Sequence, residues 1–184
     1  ELKELKLLFN ISRELSEALD LKSVQKPILT MMAEHMDMLR GSLTILNRHT
    51  GEIFIEEAYG LTDEEQAKGR YRIGEGITGR VIDTGLPAVI PRVSDEPLFL
   101  DRTGARRNAD KADISFICIP IKIGSEVIGA LSADRLFSGN VSLNEDVRVL
   151  TIIASTISQA VRLRQLAEEE TEKLRAENTR LNEE

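Results

Sequence analysis

Two amphipathic helices are predicted at the start of the chain. Over residues 1–19, leucine, isoleucine and phenylalanine recur every three to four positions, which is the spacing of one helical face. Asp20 interrupts this stripe, and a second helix is predicted over about residues 23–38. Pro27 restricts where that helix begins, because proline is tolerated only near a first turn. We expect Gly41 to end the segment.

A β-hairpin is predicted next, because apolar and polar residues alternate as they do in half-buried strands. Its strands are residues 42–46 and 52–58, and Gly51 in the connection can take the left-handed conformation that such a turn requires. A short helix is predicted over residues 62–68. Its first two residues, threonine and aspartate, are both good N-caps.

Glycines mark the middle of the chain. A helix is predicted from about Gly76 to Thr84, and Gly85 is placed to end it. A short strand over residues 87–90 follows. Residues 91–112 then form a long loop with two prolines and many charges, and a loop of this length in a compact domain is usually functional.

The fold class follows from the order of the elements. Two further strands, residues 114–123 and 126–134, are joined by a tight turn, and a last helix begins near residues 142–144. We predict an α+β fold with a central antiparallel sheet of about five to six strands, flanked by helices. The last helix shows no interruption through Glu184. At 1.5 Å per residue it is roughly 60 Å long, so its end must project from the domain.

A heptad pattern runs along this last helix. One helix packed on the sheet explains residues 143–163 but leaves the leucines beyond them unexplained, so residues 164–184 are predicted to form a parallel, dimeric coiled-coil linker. Asn178 falls at an a position, where asparagine favours two strands. The domain proper is then residues 1–163. The expected dimer contacts include the first helix and are Leu5, Leu8, Leu15, Ile157, Leu174 and Leu181.

Composition removes several classes of function. The net charge is −7 over 184 residues, which disfavours nucleic-acid binding over the whole surface. No apolar stretch is long enough to span a membrane, and one cysteine permits no intrachain disulfide. We expect a cytoplasmic protein that requires no metal or cofactor. Because the chain starts at Glu1, we also expect it to be a piece of a longer protein.

Two segments carry candidate chemistry. Residues 74–79 fit the phosphate-binding pattern G-x-G-x-x-G, but no buried strand precedes them, so a tight turn whose amides bind at most a smaller anion is preferred. The loop 91–112 is rich in arginine, which binds carboxylates and phosphates. It is either a lid that recruits an anionic metabolite or a solvated loop with local ion pairs. Cys118, in an apolar strand, is predicted to be buried and inert.

Several strings of the chain resemble the GAF domain family. They are the residues Gly74–Val81, Thr84–Ile90, Ser115–Ile121 and Val127–Leu131. The resemblance covers about residues 5–165 and implies the GAF fold and a role in small-molecule sensing or protein interaction. The cyclic-nucleotide signature of the family is not matched at Asp134-Arg135 and the residues that follow, which argues against a cyclic nucleotide as ligand.

A narrower resemblance is to the N-terminal domain of NifA-type activators, carried by residues 96–106 and 115–118. It implies a non-enzymatic regulatory domain of a bacterial sigma-54-dependent transcriptional activator in nitrogen fixation. Such a domain controls its own downstream AAA+ ATPase through the geometry of a homodimer. The signal is a partner protein or an anionic metabolite such as 2-oxoglutarate. The alternative is a ligand-free dimerisation module of another signalling protein. An enzyme with this fold is a third hypothesis, for which the sequence offers no catalytic group.

The expected ligand pocket lies between the sheet and the loop 91–112. Both faces of the strand that begins at Ile114 are apolar, so the face that lines the pocket is left open. The residues expected to bind the ligand are Ile77, Thr78, Phe99, Arg102, Arg106, Ser115 and Ile117.

Overall fold

The computed structural model describes residues 1–106, 114–139 and 142–183. A 3-10 turn, Val93–Asp95, follows the fourth strand. In chain order the helices and strands are α1 (Leu2–Glu17), α2 (Lys22–Met36), β1 (Met38–Asn47), β2 (Glu52–Tyr59), α3 (Asp63–Lys68), β3 (Arg70–Arg72), α4 (Gly76–Thr84), β4 (Ala88–Ile90), β5 (Ile114–Ile123), β6 (Glu126–Leu136) and α5 (Asn144–Glu183).

The strands form one sheet in the order β3-β2-β1-β6-β5-β4, and each neighbouring pair is antiparallel. The predicted α+β fold with an antiparallel sheet and flanking helices is confirmed. The prediction missed β3, because three residues are too few to show an alternating pattern. Gly41 does not end a segment as expected but lies inside β1, where it pairs with both β2 and β6.

Local signals placed the turns correctly. Thr62 caps α3, and its side chain and that of Glu65 each accept a backbone N–H, which forms a capping box. Gly85 ends α4 with a φ of 68°, and Gly51 turns the first hairpin with a φ of 71°. The second helix ends two residues earlier than predicted, because Asp37 takes a left-handed conformation with a φ of 49°.

The sheet separates two hydrophobic cores. The larger core packs α1, α2 and α5 against one face, and the smaller core lies under α4 on the other. Along β5 the two faces alternate: Ile117 and Ile119 belong to the larger core, whereas Phe116 and Cys118 belong to the smaller one. The strand is therefore buried on both faces, which explains its continuous run of apolar residues.

Helices α1 and α5 lie side by side in the same direction. Near their starts, Arg148 donates to Glu4 at 2.9 Å, and at the other end of α1, Arg164 donates to the carbonyl of Leu19 at 2.6 Å. Two predicted dimer contacts are corrected by this arrangement. Leu15 and Ile157 are buried in the core of their own chain, so neither is available to a partner.

The last helix extends far past the sheet. It contains 40 residues, which at 1.5 Å each gives a length of about 60 Å. Every described residue after Arg164 is exposed, including Leu174 and Leu181 at 58% each. The predicted projecting helix is thus confirmed.

Candidate functional site

A small cavity lies on the face of the sheet that α4 covers. Residues of β1 and β6 form its floor, and residues 99–106 lie over it. Its volume is about 40 Å³. Of the seven residues predicted to bind a ligand, four line this cavity, namely Ile77, Thr78, Phe99 and Arg106.

The floor of the cavity is polar although it is buried. Ser42, Thr44 and Ser132 line it, and none of them is more than 9% exposed. The hydroxyls of Ser42 and Ser132 are hydrogen-bonded at 2.6 Å. In the sequence, the serine and threonine of β1 look like the solvent face of a half-buried strand. In the fold they face this cavity.

A buried carboxylate, that of Asp134 on β6, organises the charges of the site. Its side chain is 1% exposed and accepts from Arg40 Nε at 2.9 Å and from Arg106 Nη2 at 2.6 Å. Arg106 Nη1 also donates to Asp101 at 3.0 Å. Two arginines therefore share one buried carboxylate, and one of these arginines holds a second carboxylate as well.

Aromatic rings surround the guanidinium of Arg106. It lies 4.8 Å from the ring centre of Phe99 and 5.8 Å from that of Phe116, and the two rings meet edge to face. These distances fall within the range of cation–π contacts. Burial opposes the charged form, but Asp134 and Asp101 outweigh it and raise the pKa of Arg106 above its ordinary value. Arg106 is thus a permanent cation inside the domain.

Two guanidinium nitrogens of this cluster have no hydrogen-bond partner within the described part of the chain. They are Arg40 Nη2 and Arg106 Nε, and both are buried. An unpaired buried donor is costly, and arginine nitrogens bind carboxylates especially well. The arrangement is therefore suited to holding an acceptor group, above all a carboxylate.

Three of the predicted ligand residues lie outside the lining of this cavity. Arg102 forms an ion pair with Glu75 at the surface, where both side chains are 38% exposed. Ser115 is buried and donates to the carbonyl of Pro91 at 2.6 Å. Ile117 packs in the opposite core, because alternate residues of β5 face opposite sides of the sheet.

Two residues that anchor the cavity, Arg40 and Asp134, were not among the predicted ligand residues. Arg40 and Asp134 are 94 positions apart, and they come together because they are register partners in the pairing of β1 with β6. The sequence offered a signal for one of them only. Asp134 is a charged residue at the end of an apolar predicted strand, and buried charges are rare unless paired, whereas Arg40 lies between the predicted elements.

The glycine-marked turn before α4 uses several of its backbone amides in hydrogen bonds of its own. The N–H of Gly74 is bonded to the carbonyl of Gly79 at 2.9 Å, and the N–H of Gly79 to that of Glu75 at 3.0 Å. The carboxylate of Glu75 itself accepts from the N–H of Arg72 at 2.9 Å. Since a carboxylate already lies at the start of α4, a bound phosphate there is disfavoured by repulsion.

Cys118 is fully buried, as predicted. Burial raises the pKa of its thiol to about 12, although a hydrogen bond with Thr78 acts in the opposite direction. Because thiolates are the reactive form, this side chain is inert at neutral pH.

Two further findings concern the residues that the structure describes. They contain no group of three or more histidine, cysteine or acidic side chains arranged to hold a metal ion. None of their helices is long and apolar enough to cross a membrane. The end of the arginine-rich loop, with Arg107, Asp110 and Lys111, lies outside the described residues.

The fold and the cavity define the class of the protein. A six-stranded antiparallel sheet carries a helical layer on one face and a small polar cavity on the other. The family model described as "GAF domain" matches residues 20–161, and the chain belongs to the GAF domain family.

Within this family, the chain is similar to regulators of nitrogen fixation. It is 46% identical over 178 residues to the nitrogen fixation protein VnfA of Azotobacter vinelandii, and this aligned region covers 96% of this chain and 34% of VnfA. It is 38% identical to AnfA of the same organism, over 97% of this chain and 33% of AnfA. The chain therefore spans about a third of the length of these relatives.

A solved structure supports the same placement. The GAF domain of A. aeolicus nlh2, described as being in an inactive state, superimposes with a TM-score of 0.79 at 27% sequence identity. The match covers 89% of this chain and 98% of that domain. The two chains therefore share one fold along nearly their whole common length.

Proposed function

We propose that this chain is the regulatory sensor domain of a NifA-like, sigma-54-dependent transcriptional activator that works in the bacterial cytoplasm. It acts by binding, without catalysis, and controls a downstream AAA+ ATPase through the geometry of a homodimer. The observation that carries this proposal is the similarity to VnfA over 96% of the chain. The polar cavity beneath residues 99–106 supplies the sensing site.

The proposed ligand is a small anionic metabolite, with 2-oxoglutarate as the first candidate. Support comes from the two unpaired guanidinium nitrogens, on Arg40 and Arg106, at a cavity that Arg106 lines with the aromatic ring of Phe99. A ligand carboxylate within reach of either nitrogen would give that buried donor a partner. The ring supplies an apolar wall for the remainder of a short-chain acid.

A physical connection runs from the cavity to the last helix. Asp134 and Arg135 are neighbours on β6, and successive side chains of a strand point to opposite faces. Asp134 lies in the cavity, whereas Arg135 forms an ion pair with Asp146 in the first turn of α5. A displacement of β6 at Asp134 therefore changes the position of α5, and α5 leads out of the domain.

The proposed dimer uses the exposed parts of α1 and α5. Leu5, Leu174 and Leu181 expose 64%, 58% and 58% of their surface, and Leu8 is half-buried against the larger core. Leucines at this spacing on a projecting helix are typical of a coiled coil. The tail is then a linker that sets the distance and angle between two ATPase domains.

A thermal-shift titration of the domain with 2-oxoglutarate, succinate and glutamine tests the proposal. A ligand that binds only the native state, at 100 times its dissociation constant, adds about 2.7 kcal/mol to the free energy of unfolding. We expect a saturable shift with a dicarboxylate and none with glutamine. Arg106→Gln should abolish the shift. Arg102→Gln is the matched control, because Arg102 belongs to the same segment but lies outside the cavity.

The second candidate function is a ligand-free dimerisation module. The small cavity volume, about 40 Å³, favours it, because ligand pockets are typically about 300–1,000 Å³. No shift with any acid, together with a stable dimer, would move the assignment to this candidate.

A further inference from the structure

The cavity is too small, as it stands, for the acid that the proposed function requires. A cavity of about 40 Å³ holds a carboxylate group or a few waters, whereas a whole dicarboxylate needs several times that space. The side chain of Arg106 fills the missing space, since it reaches Asp134 between the rings of Phe99 and Phe116. Movement of Arg106 away from Asp134 would enlarge the cavity.

Arg106 also holds the covering segment on the sheet. Residues 96–106, here called the lid, contact the body of the domain through the Arg106–Asp134 pair, the ring contact of Phe99 with Phe116, and the surface pair of Arg102 with Glu75. Arg40 Nη1 also donates a long hydrogen bond, 3.4 Å, to the carbonyl of Ala105. Only the first of these is a buried ion pair. Exposed pairs contribute little to stability, so Arg106 is the main polar anchor of the lid.

The pairing of two arginines with one carboxylate allows one arginine to leave. Removing the sole partner of a buried charge is strongly destabilising, because the charge is left uncompensated. Asp134 avoids this cost, because Arg40 Nε still donates to it at 2.9 Å when Arg106 is gone. Arg106 in turn keeps Asp101, which lies on the lid and moves with it.

We propose that Arg106 is an exchangeable latch: a carboxylate of the ligand replaces Asp134 as the partner of Arg106, and the lid is released from the sheet. This inference rests on the proposed function and adds the mechanism by which the site is regulated. Asp134 is then an internal competitor of the ligand. The exchange adds the negative charge of the ligand to a cluster in which Arg40 and Arg106 were balanced by Asp134 and Asp101. It therefore becomes favourable only as the released lid exposes Arg106 and Asp101 to water, while Arg40 continues to neutralise the buried Asp134.

The effect of Asp134→Asn on acid binding has opposite signs for the latch and for a preformed binding site. If Asp134 competes with the ligand, then Asp134→Asn tightens the binding of an acid, by about tenfold or more. If Asp134 instead holds the arginines in position for the ligand, the same change weakens binding. Asp101→Asn is a second variant and should also tighten the binding of the acid, because Asp101 is the other carboxylate on Arg106 and lies outside the sheet. If Asp134→Asn fails to fold, the lid exchange of Arg106→Gln compared with Arg102→Gln still tests the latch.

The experiment combines calorimetric titration with hydrogen exchange of residues 96–106 in the whole domain. Glutarate and 2-oxoglutarate are the probes. The wild type, Asp134→Asn, Asp101→Asn and Arg106→Gln are compared with Arg102→Gln, which removes only the exposed pair of the lid. Without ligand, Arg106→Gln should speed exchange in the lid about tenfold or more, and Arg102→Gln much less. Saturating acid should speed lid exchange in the wild type.

Each outcome decides between the alternatives. Tighter binding by the two aspartate variants, with faster lid exchange on binding, supports the latch. Acid binding that weakens in both variants, or that slows exchange in the lid, overturns the latch and leaves the proposed function intact. Equal lid exchange in Arg106→Gln and the wild type also overturns it. Absence of binding to the wild type and to both aspartate variants overturns the acid-sensing function and the exchange together.

Discussion

Replacing Leu174 and Leu181 by glutamate tests the proposed dimer contact of the tail. Both leucines occupy d positions of the heptad, and most of each side chain is exposed in the single chain. In a parallel coiled coil, each inserts between residues of the facing helix. The double substitution places four carboxylates in that contact without touching the core of the domain.

The expected loss follows from the exposed leucine surface. Each side chain is 58% exposed, and burying a whole leucine contributes about 1.5–3 kcal/mol. Covering the exposed part of each is then worth about 1–1.7 kcal/mol. For two leucines in each of two chains the sum is about 4–7 kcal/mol, which corresponds to a rise in dimer Kd of roughly 10³–10⁵.

Sedimentation velocity across a concentration series measures this change directly. Leu166→Glu is the matched control, because Leu166 is 44% exposed on the same helix but occupies a c position outside the seam. We expect the double variant to be monomeric at micromolar concentration and the control to remain dimeric. The circular dichroism spectrum of the domain should be unchanged in both.

Two results would refute this reasoning. If the double variant dimerises as tightly as the wild type, the tail is not the main contact and α1 must carry the dimer. If Leu166→Glu weakens the dimer as much as the double substitution, then the heptad assignment of the tail is wrong.

Three further predictions concern the folded domain. Native Cys118 should react with iodoacetamide about a thousandfold more slowly at pH 8 than an ordinary thiol, because burial raises its pKa to about 12. Mass spectrometry follows the labelling, and a labelling rate near that of glutathione would contradict this prediction. Gly129→Ala should lower the free energy of unfolding by about 2–3 kcal/mol, since its Cβ would lie 2.2 Å from the carbonyl oxygen of Thr44. Gly124→Ala is the control: its Cβ would meet no other atom, so only the φ of +63° makes it unfavourable, by about 1 kcal/mol. Equal midpoints of urea unfolding for the two variants would argue against the predicted clash with Thr44. Leu150→Ala, at a fully buried position of α5, should cost about 2–5 kcal/mol in the same urea titration, and a loss below 1 kcal/mol would mean that α5 does not pack as described.

Local patterns predicted most of the elements because their causes lie within a few residues. The hairpin turn at Gly51, the cap at Thr62 and the stop at Gly85 each need one residue type at one position. The same holds for the length of α5, which depends on an unbroken run without glycine or proline.

Four of the seven expected ligand residues line the cavity, and all four lie next to features that the sequence shows. Ile77 and Thr78 follow the glycine turn, and Phe99 and Arg106 belong to the arginine-rich loop. Ile117 was misplaced for a physical reason. A strand that is buried on both faces shows no alternation, so its sequence does not reveal which face meets the cavity.

Residue order alone was enough to predict an α+β domain of the GAF family with a projecting helix, because periodicity, turn chemistry and family motifs are local properties of the chain. Which charges meet inside the domain became visible only in the folded structure. Arg40, Arg106 and Asp134 come from separate segments, and the pairing of β1 with β6 and the path of the lid bring them together. Such contacts depend on the order and register of strands far apart in sequence. For the same reason, the buried cluster at the proposed sensing site is visible in the fold and not in the chain.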